Sequence, residues 1–376
     1  MKPIQMVDTK TQYQKIKPEV DAAVLDVLDS SIFIGGKYVQ QFATDLAAYN
    51  GSKHVIPCAN GTDALQIAMM ALDLQPGNEV ISPSFTYIAT VEVIALLRLK
   101  PVFVEVDAKT FCMDPEAVRK AITPKTKAIV PVHLYGHAAP MEEIMAIAKE
   151  HNLFVIEDNA QAIGSDYTFS NGTKKKTGSI GTIGCTSFYP SKNLGCYGDG
   201  GAIFTDDNAL AEKLKMIANH GQKIRYYHEL VGCNSRLDAV QGAILGIKLK
   251  HLDEYIAART NAADYYDKAF TNHPKITVPC RAANSKHVFH QYTLLLEGVD
   301  RDGLQQHLSD NKIPSMLYYP VPCHKQKMFA SFGGAEYDLK VTDWLTERVI
   351  SLPVHTELDE EQLSFITSKV LEFINK

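Results

Sequence analysis

The sequence predicts an α/β protein built on a mostly parallel sheet with helices on both faces. Two observations lead to this prediction. From residue 54 onwards, apolar runs of strand length alternate with longer segments that carry apolar residues at helical spacing. The short runs are apolar throughout, which is typical of parallel strands that are buried on both faces.

A helical arm is predicted before the sheet. Residues 18–29 carry apolar positions at helical spacing, and residues 38–49 repeat that pattern. Gly35 and Gly36 break the helix between them. The arm, residues 1–50, is assigned to a large domain that covers residues 1–250.

The rest of the large domain alternates between the two element types. Its predicted strands are 55–59, 80–82, 102–106, 128–132, 153–156, 183–188 and 202–204. Its predicted helices are 63–74, 86–97, 115–122, 141–151, 209–218 and 239–249. Residues 164–182 are predicted to form an exposed hairpin or loop. Residues 220–236 are predicted to form a long polar loop, which in a compact domain is usually functional.

A smaller α+β domain is predicted for residues 251–376. It mixes helices and strands without strict alternation. The predicted elements are a helix at 252–270, a strand at 292–296, a helix at 301–309, a strand at 350–353 and a helix at 360–373.

Composition narrows the functional classes. The 376 residues are 45% hydrophobic and 22% charged, with a net charge of −5, as expected for a soluble globular protein. The chain has no basic run, so nucleic acid is not expected as a partner, and no apolar run long enough for a membrane helix. Seven scattered cysteines and an N-terminus without a signal peptide predict a cytoplasmic protein with reduced thiols. No cluster has metal-ligand spacing.

The most informative stretch surrounds Lys192. It lies between Ser187 at the end of a predicted strand and four glycines within residues 195–201. Glycines are costly in chain entropy unless the backbone must approach something closely. A lysine can form a Schiff base with the aldehyde of pyridoxal phosphate (PLP), and Ser187 with nearby N–H groups can bind its phosphate. This interpretation is preferred to an exposed loop lysine.

Asp158 supplies the second requirement of that cofactor. It follows an apolar strand, where an unpaired carboxylate would be costly, so it should face a cation. The protonated pyridine nitrogen of PLP would serve. Glu157, on the other side of the strand, is interpreted as structural. Gln161 lies one helical turn further on and either donates to the cofactor's ring oxygen or is a surface residue.

Two further strand ends contribute candidates. Gly61, Thr62 and Asp63 begin a predicted helix, whose N-terminal N–H groups can bind phosphate. Thr62 is also a candidate cap for that helix, and capping alone is the alternative explanation. Tyr87 follows the next strand and either stacks on a flat ring or packs in the core.

Weaker candidates lie in the long loop and the second domain. Arg225, His228, Asn234 and Arg236 enrich the loop in groups that bind anions; a solvated loop is the alternative. In the second domain the candidates for substrate binding are His290, Tyr318 and Tyr319, which could instead pack a domain interface.

From residues 32–36 (Ile-Phe-Ile-Gly-Gly) to residues 351–356 (Ser-Leu-Pro-Val-His-Thr) the sequence resembles the nucleotide-sugar aminotransferases of the DegT/DnrJ/EryC1/StrS family. The resemblance implies a PLP-dependent transferase of fold type I with a seven-stranded sheet, working as a homodimer with shared sites. It implies that Lys192 is the Schiff-base lysine. The other cofactor residues it implies are Gly61, Thr62, Asp63, Tyr87, Asp158, Gln161, Ser187 and, from the partner subunit, Asn234.

The resemblance also implies the reaction, an amino transfer from L-glutamate to a UDP- or dTDP-linked keto-sugar in which freed Lys192 moves the proton. Residues 185–201 and 220–238 look most like enzymes that aminate carbon 3. The first expectation is UDP-2-acetamido-2-deoxy-3-keto-hexuronate, a precursor of surface polysaccharide such as O-antigen, with Arg236, Arg225 or His228 holding its carboxylate.

Three alternatives stay open at this point. Tyr318 stands where the uronate enzymes carry histidine, so a dTDP-3-keto-6-deoxyhexose is the second candidate substrate. A PLP-binding regulator without turnover is a distant alternative. A NAD-dependent sugar dehydratase is disfavoured, because no Gly-x-Gly-x-x-Gly follows the first strand.

Overall fold

The computed structural model describes residues 2–376, apart from the side chain of Ala335. In chain order its strands are β1 (His54–Cys58), β2 (Glu79–Pro83), β3 (Lys100–Val104), β4 (Thr126–Ile129), β5 (Phe154–Asp158), β6 (Asp166–Thr168), β7 (Lys174–Lys176), β8 (Ile183–Ser187), β9 (Gly201–Thr205), β10 (Gln222–Ile224), β11 (Tyr227–His228), β12 (Ile276–Thr277), β13 (Tyr292–Leu296) and β14 (Val349–Leu352).

The α-helices surround these strands. They are α1 (Thr9–Ser30), α2 (Gly36–Asn50), α3 (Gly61–Ala71), α4 (Ala89–Leu96), α5 (Pro115–Ala121), α6 (Met141–His151), α7 (Asn208–Ala218), α8 (Ala239–Lys250), α9 (Leu252–Phe270), α10 (Arg301–Asp310), α11 (Lys340–Thr346) and α12 (Glu360–Ile374). Among residues 2–376, none of the helices combines the length and apolar character that crossing a bilayer requires.

The central sheet has seven strands in the order β1-β9-β8-β5-β4-β2-β3. Strand β9 runs antiparallel to both of its neighbours, and the other pairs are parallel. The predicted α/β class and mostly parallel sheet are therefore confirmed. Because β1, β5 and β8 run in one direction, their carboxyl ends lie at one edge of the sheet, where α/β proteins bind their ligands.

Two apolar clusters cover the faces of this sheet. Val80 and Ile156 belong to one cluster, whereas Ile81 and Val155 belong to the other. Successive side chains of a strand point to opposite faces, so a strand buried on both sides needs apolar residues at consecutive positions. This requirement explains the continuous apolar runs in the sequence.

A smaller antiparallel sheet, β12-β13-β14, packs with α9, α10 and α12 around its own apolar cluster. Ile4 is buried in that cluster, and the Gln362 amide donates to the carbonyl oxygens of Lys2 and Pro3 at 3.4 and 3.3 Å. Residues 2–4 thus pack against helix α12 and its apolar cluster. The predicted domain boundary after residue 250 stays a prediction.

Several predicted bounds shift. Helix α1 begins at Thr9 instead of residue 18, because Asp8 accepts a hydrogen bond from the Thr11 N–H at 2.9 Å and caps it there. Helix α4 begins at Ala89 instead of residue 86. The stretch 164–182 contains the β6–β7 hairpin, and the long loop at 220–236 contains the β10–β11 hairpin.

Candidate active site

Asp158 is the last residue of β5 and is only 6% exposed. Its two carboxylate oxygens have different donors. The Thr90 hydroxyl donates to Oδ2 at 2.7 Å, and the Ala160 N–H donates to Oδ1 at 3.1 Å. The carboxylate is therefore held in one orientation at the sheet edge. A carboxylate so buried is stabilised further by a facing cation.

Glu157 points to the opposite side of β5, as predicted for a structural residue. It is fully buried and accepts hydrogen bonds from the N–H groups of Gly178, Ile180 and Gly181 at 2.6 to 2.7 Å. His133 Nε2 lies 2.9 Å from its Oε2. The Ala139 N–H donates to His133 Nδ1, so the imidazole proton is on Nε2 and points at Glu157.

Lys192 follows β8 on the neighbouring strand end and is half-buried. Burial lowers the pKa of its amine to about 8, and the negative charge of Asp158 opposes that shift. At neutral pH about a tenth of the amine is then unprotonated, against well under a thousandth for an ordinary lysine. The structure therefore combines a nucleophilic amine with a carboxylate close enough to influence it.

Helix α8 holds the chain that follows Lys192. Gln241 bonds the backbone of Tyr197 twice, accepting from its N–H at 2.9 Å and donating to its carbonyl at 3.3 Å. Lys248, which is buried, donates to the carbonyl oxygen of Gly195, and its ammonium lies 5.0 Å from the centre of the Tyr197 ring. The lysine loop is thus fixed by contacts on its C-terminal side.

The start of α3 lies against Ser187. A Cβ at Gly61 would be 2.7 Å from the Ser187 Cβ, so only glycine allows this approach. Asn60, and not Thr62 as predicted, caps the helix: its side chain accepts from the Asp63 N–H at 2.8 Å. The backbone of Asn60 is extended, so its side chain can turn towards the N–H groups of the first helical turn. Thr62 cannot take this role, because it already lies inside the helix.

Capping by Asn60 satisfies the third N–H of the helix and leaves those of Gly61 and Thr62 for an anion, beside the Ser187 hydroxyl. The residues predicted to bind phosphate are therefore brought together.

Gln161 is buried rather than on the surface. Its Oε1 accepts from the Tyr135 N–H at 2.7 Å, and its amide donates to the Tyr319 hydroxyl at 2.9 Å. The Tyr319 ring centre lies 6.1 Å from that of Tyr87, whose side chain is 56% exposed. Tyr318 contributes a carbonyl oxygen that accepts from the Tyr135 hydroxyl.

The loop after β2 is tied to the segment that follows these tyrosines. Ser84 Oγ lies 2.7 Å from His324 Nδ1, and the Ser84 carbonyl accepts from the Cys323 N–H at 2.9 Å. Tyr87 and Tyr319 are thereby held as neighbours, although 232 positions separate them in the sequence.

His290 is buried near Lys192. Burial and the positive charges of Lys192 and Arg259 hold the pKa of His290 well below its usual value, so the imidazole is neutral. Its Nδ1 has no hydrogen-bond partner among residues 2–376. Buried Arg259 supports the local backbone by donating to the carbonyls of Phe289, His290 and Val354 at 3.2, 3.4 and 2.8 Å.

The remaining predicted residues, in the long loop, lie on the exposed surface. Arg225 lies in the β10–β11 turn against the Tyr226 ring, and His228 is the last residue of β11. Asn234 and Arg236 lie on either side of buried Ser235. The Ser235 hydroxyl accepts from the Ala59 N–H at 3.1 Å, which places this stretch beside the start of α3.

Sequence reasoning missed three supporting residues, Thr90, Asn60 and Arg259. A hydroxyl among the apolar residues on the buried side of α4, and an asparagine directly before a helix, were available signals for the first two. Nothing in the sequence indicated Arg259. Within residues 2–376, no three His, Cys, Asp or Glu side chains are grouped so that they could hold a metal ion.

These features fit PLP. Asp158 offers a buried carboxylate to a pyridinium, Lys192 an amine that is partly neutral, Tyr87 an exposed ring face, and the Gly61–Ser187 contact a close approach of backbone and hydroxyl to a phosphate. Together the sheet topology and this edge define a PLP-dependent enzyme of fold type I.

The family model for the DegT/DnrJ/EryC1/StrS aminotransferases matches residues 14–371, and the chain belongs to that family. It is a PLP-dependent sugar aminotransferase. The family expected from the sequence is confirmed.

Curated relatives share nearly the full length. A pleiotropic regulatory protein of Geobacillus stearothermophilus is 46% identical, covering 98% of both chains. The UDP-2-acetamido-2-deoxy-3-oxo-D-glucuronate aminotransferase of Pseudomonas aeruginosa is 44% identical over 96% of this chain and 98% of its own. The dTDP-3-amino-3,4,6-trideoxy-alpha-D-glucose transaminase of Streptomyces venezuelae is 38% identical over 99% and 97%.

Among solved structures, S. venezuelae DesV superposes with a TM-score of 0.95 at 38% identity, covering 100% of both chains. The fold type predicted from the sequence is therefore confirmed by a structure as well as by the family model.

Proposed function

We propose that this enzyme transfers an amino group from L-glutamate to carbon 3 of a nucleotide-linked keto-sugar. Its preferred acceptor is UDP-2-acetamido-2-deoxy-3-keto-hexuronate. The enzyme acts in the cytoplasm, and its product is a precursor of a surface polysaccharide such as O-antigen. The observation that carries the amino-transfer proposal is the partly neutral Lys192 amine beside buried Asp158. Support for carbon 3 comes from the activities for which two relatives, at 38 and 44% identity, are named.

PLP, when bound, holds the amino group between donor and acceptor and delocalises the electrons left at the reacting carbon. In this proposal Asp158 holds the proton on the ring nitrogen. Lys192 attaches the cofactor and then carries a proton to and from the reacting carbon. Gln161 orients the ring oxygen, and Tyr87 covers one face of the ring.

The phosphate would be held by Ser187, the Thr62 hydroxyl and the N–H groups at the start of α3. Asp63 contributes its backbone in this assignment. Asn234 is proposed to reach the phosphate of the partner subunit in a homodimer. The β10–β11 region supports an interface there, since it exposes Ile224, Tyr226, Tyr227 and Val231 to solvent in the single chain.

The sugar carboxylate is assigned to Arg236, with Arg225 and His228, which are also exposed, as further candidates. Neither guanidinium forms an ion pair with a carboxylate among residues 2–376. Arg236 bonds only the Asn219 side-chain oxygen, at 3.3 Å. Both are therefore available to a bidentate anion. Tyr318, Tyr319 and His290 would line the sugar pocket on the other side.

The donor and the cofactor are tested together by absorbance. The holoenzyme should show visible absorbance from bound cofactor, and L-glutamate should remove it. UDP-2-acetamido-2-deoxy-3-keto-hexuronate should restore it at lower concentration than a dTDP-3-keto-6-deoxyhexose. A protein that takes up PLP without responding to any amino donor would favour the hypothesis of a non-catalytic regulator. The 46% identical Geobacillus relative, a pleiotropic regulatory protein, is an observation in favour of that hypothesis.

The Arg236→Ala variant tests the uronate. We expect KM for the uronate to rise about 10- to 100-fold, because a charged hydrogen bond contributes about 1.5–3 kcal/mol. KM for a neutral 6-deoxy sugar should change little. Arg119→Ala serves as the control, since that arginine is exposed and paired with Glu150 on a different surface. Equal effects on the two sugars would remove the carboxylate assignment and favour the dTDP-linked alternative.

A further inference from the structure

We propose that Thr90 is a positioning residue for the cofactor: its hydroxyl orients Asp158 so that the carboxylate faces the pyridine nitrogen and holds the proton there. The inference rests on the proposed pairing of Asp158 with PLP. It assigns a function to α4 that the sequence had not suggested.

The contact is specific. Thr90 is fully buried and donates to Asp158 Oδ2 at 2.7 Å, while the Ala160 N–H fixes Oδ1 at 3.1 Å. With one donor on each oxygen, the carboxylate plane cannot rotate without breaking a hydrogen bond. The remaining lone pairs are then directed to one place at the sheet edge.

A second hydroxyl supports the first. Thr86 Oγ1 lies 3.3 Å from Thr90 Oγ1, and Thr86 is also buried. A hydroxyl has one proton to donate. Because Thr90 gives its proton to Asp158, Thr86 must donate to Thr90. The three groups form a chain in which each hydrogen bond strengthens the next.

Thr90 is costly in its surroundings unless this hydrogen bond is used. Its neighbours in α4, Ala89, Val91, Val93 and Ile94, are buried and apolar. A buried hydroxyl without a partner destabilises the fold, and a valine would fill the same volume without that penalty. The position therefore has a polar group whose partner is the carboxylate that faces the cofactor.

The same segment is tied to the rest of the site. Three residues before Thr90, Tyr87 exposes its ring for stacking, and Ser84 bonds His324 and Cys323. The turn that leads into α4, together with the start of that helix, thus holds two residues of the site. Tyr87 is proposed to cover the face of the PLP ring, and Thr90 orients the carboxylate proposed to face the ring nitrogen. Loss of the Thr90 hydroxyl should therefore let the Asp158 carboxylate turn away from the pyridine nitrogen and weaken its hold on the proton there.

The test uses the full-length holoenzyme reconstituted with PLP labelled with 15N in the ring. In Thr90→Val we expect the 15N chemical shift to move towards that of a neutral pyridine. We also expect PLP to bind more weakly, with a Kd about tenfold higher. Thr90→Ser should restore both values, and Thr86→Val should move them less. Thr90→Ala provides the same readout if valine impairs folding.

The matched control is Thr205→Val. Thr205 is a buried threonine at the far end of β9, where its hydroxyl donates to the Thr182 carbonyl at 3.1 Å. It should lower Tm without changing the 15N shift. If Thr90→Val and Thr90→Ala behave like this control, Thr90 is only structural and the inference is overturned. If Asp158→Asn also leaves the 15N shift unchanged, the pairing of Asp158 with PLP itself is wrong.

Discussion

The Lys192→Ala enzyme should lose amino transfer almost completely. We expect kcat to fall by at least about 10²- to 10⁴-fold, the usual contribution of a positioned general acid and base, because no other amine replaces Lys192 in the proposed proton transfer. The measurement is the rate at which L-glutamate removes the cofactor absorbance in a single turnover. Added methylamine should restore part of that rate.

Lys174→Ala is the control for this prediction. Lys174 lies in β7 and is exposed, so its loss removes a lysine without touching the site. That variant should keep the rate of the unmodified enzyme. A Lys192→Ala enzyme that stays within tenfold of it would show that Lys192 is not the group that moves the proton.

Two adjacent acids should give opposite results when their charges are removed. Asp158→Asn keeps the shape of the side chain and an oxygen for the Thr90 hydroxyl, but it cannot hold a pyridinium proton. The lost charged hydrogen bond, worth about 1.5–3 kcal/mol, should weaken PLP binding about 10- to 100-fold. Equilibrium titration of the apoenzyme with PLP measures this, and Tm should change little.

Glu157→Gln is the matched comparison on the other face of β5. Glu157 accepts from three backbone N–H groups and from His133, and an amide has only one oxygen for them. Leaving buried donors unpaired costs about 1–3 kcal/mol each, so thermal unfolding should shift to lower temperature. PLP affinity of the folded fraction should be kept. If Asp158→Asn lowered Tm without weakening PLP binding, and Glu157→Gln weakened PLP binding without lowering Tm, the proposed division of roles between the two acids would be wrong.

The parts of the site that the sequence predicted are those encoded by local pattern. An apolar strand that ends in Asp158, and a lysine beside clustered glycines, carry their meaning within a few residues. The alternating pattern likewise predicted the α/β fold. Carried over from the family, Gln161 was expected at the cofactor ring, and in the structure it bonds the hydroxyl of Tyr319.

What escaped the sequence depends on contacts between distant segments. The role of Thr90 depends on its contact with Asp158, which lies 68 residues further along the chain. The sequence does not show this contact, because it forms only when β2 and β5 bring α4 next to Asp158. Strand β9 runs in the reverse direction because the chain turns back after the lysine loop. The apolar pattern of a strand does not indicate its direction, so this reversal could not be predicted. Thr62 was predicted to cap α3 from its residue type, but the backbone geometry gives that position to Asn60.

The contact of Ile4, Lys2 and Pro3 with the cluster around α12 has a consequence for biosynthesis. Gln362 is 360 positions from Lys2, so residues 2–4 cannot make these contacts until the residues around 362 have been synthesised. The strand pairing of the central sheet lacks that constraint, because its last strand ends at residue 205. During translation the sheet can form while the N-terminal segment is still unpaired. A ribosome stalled shortly before residue 360 should therefore carry a nascent chain whose first residues are open to protease.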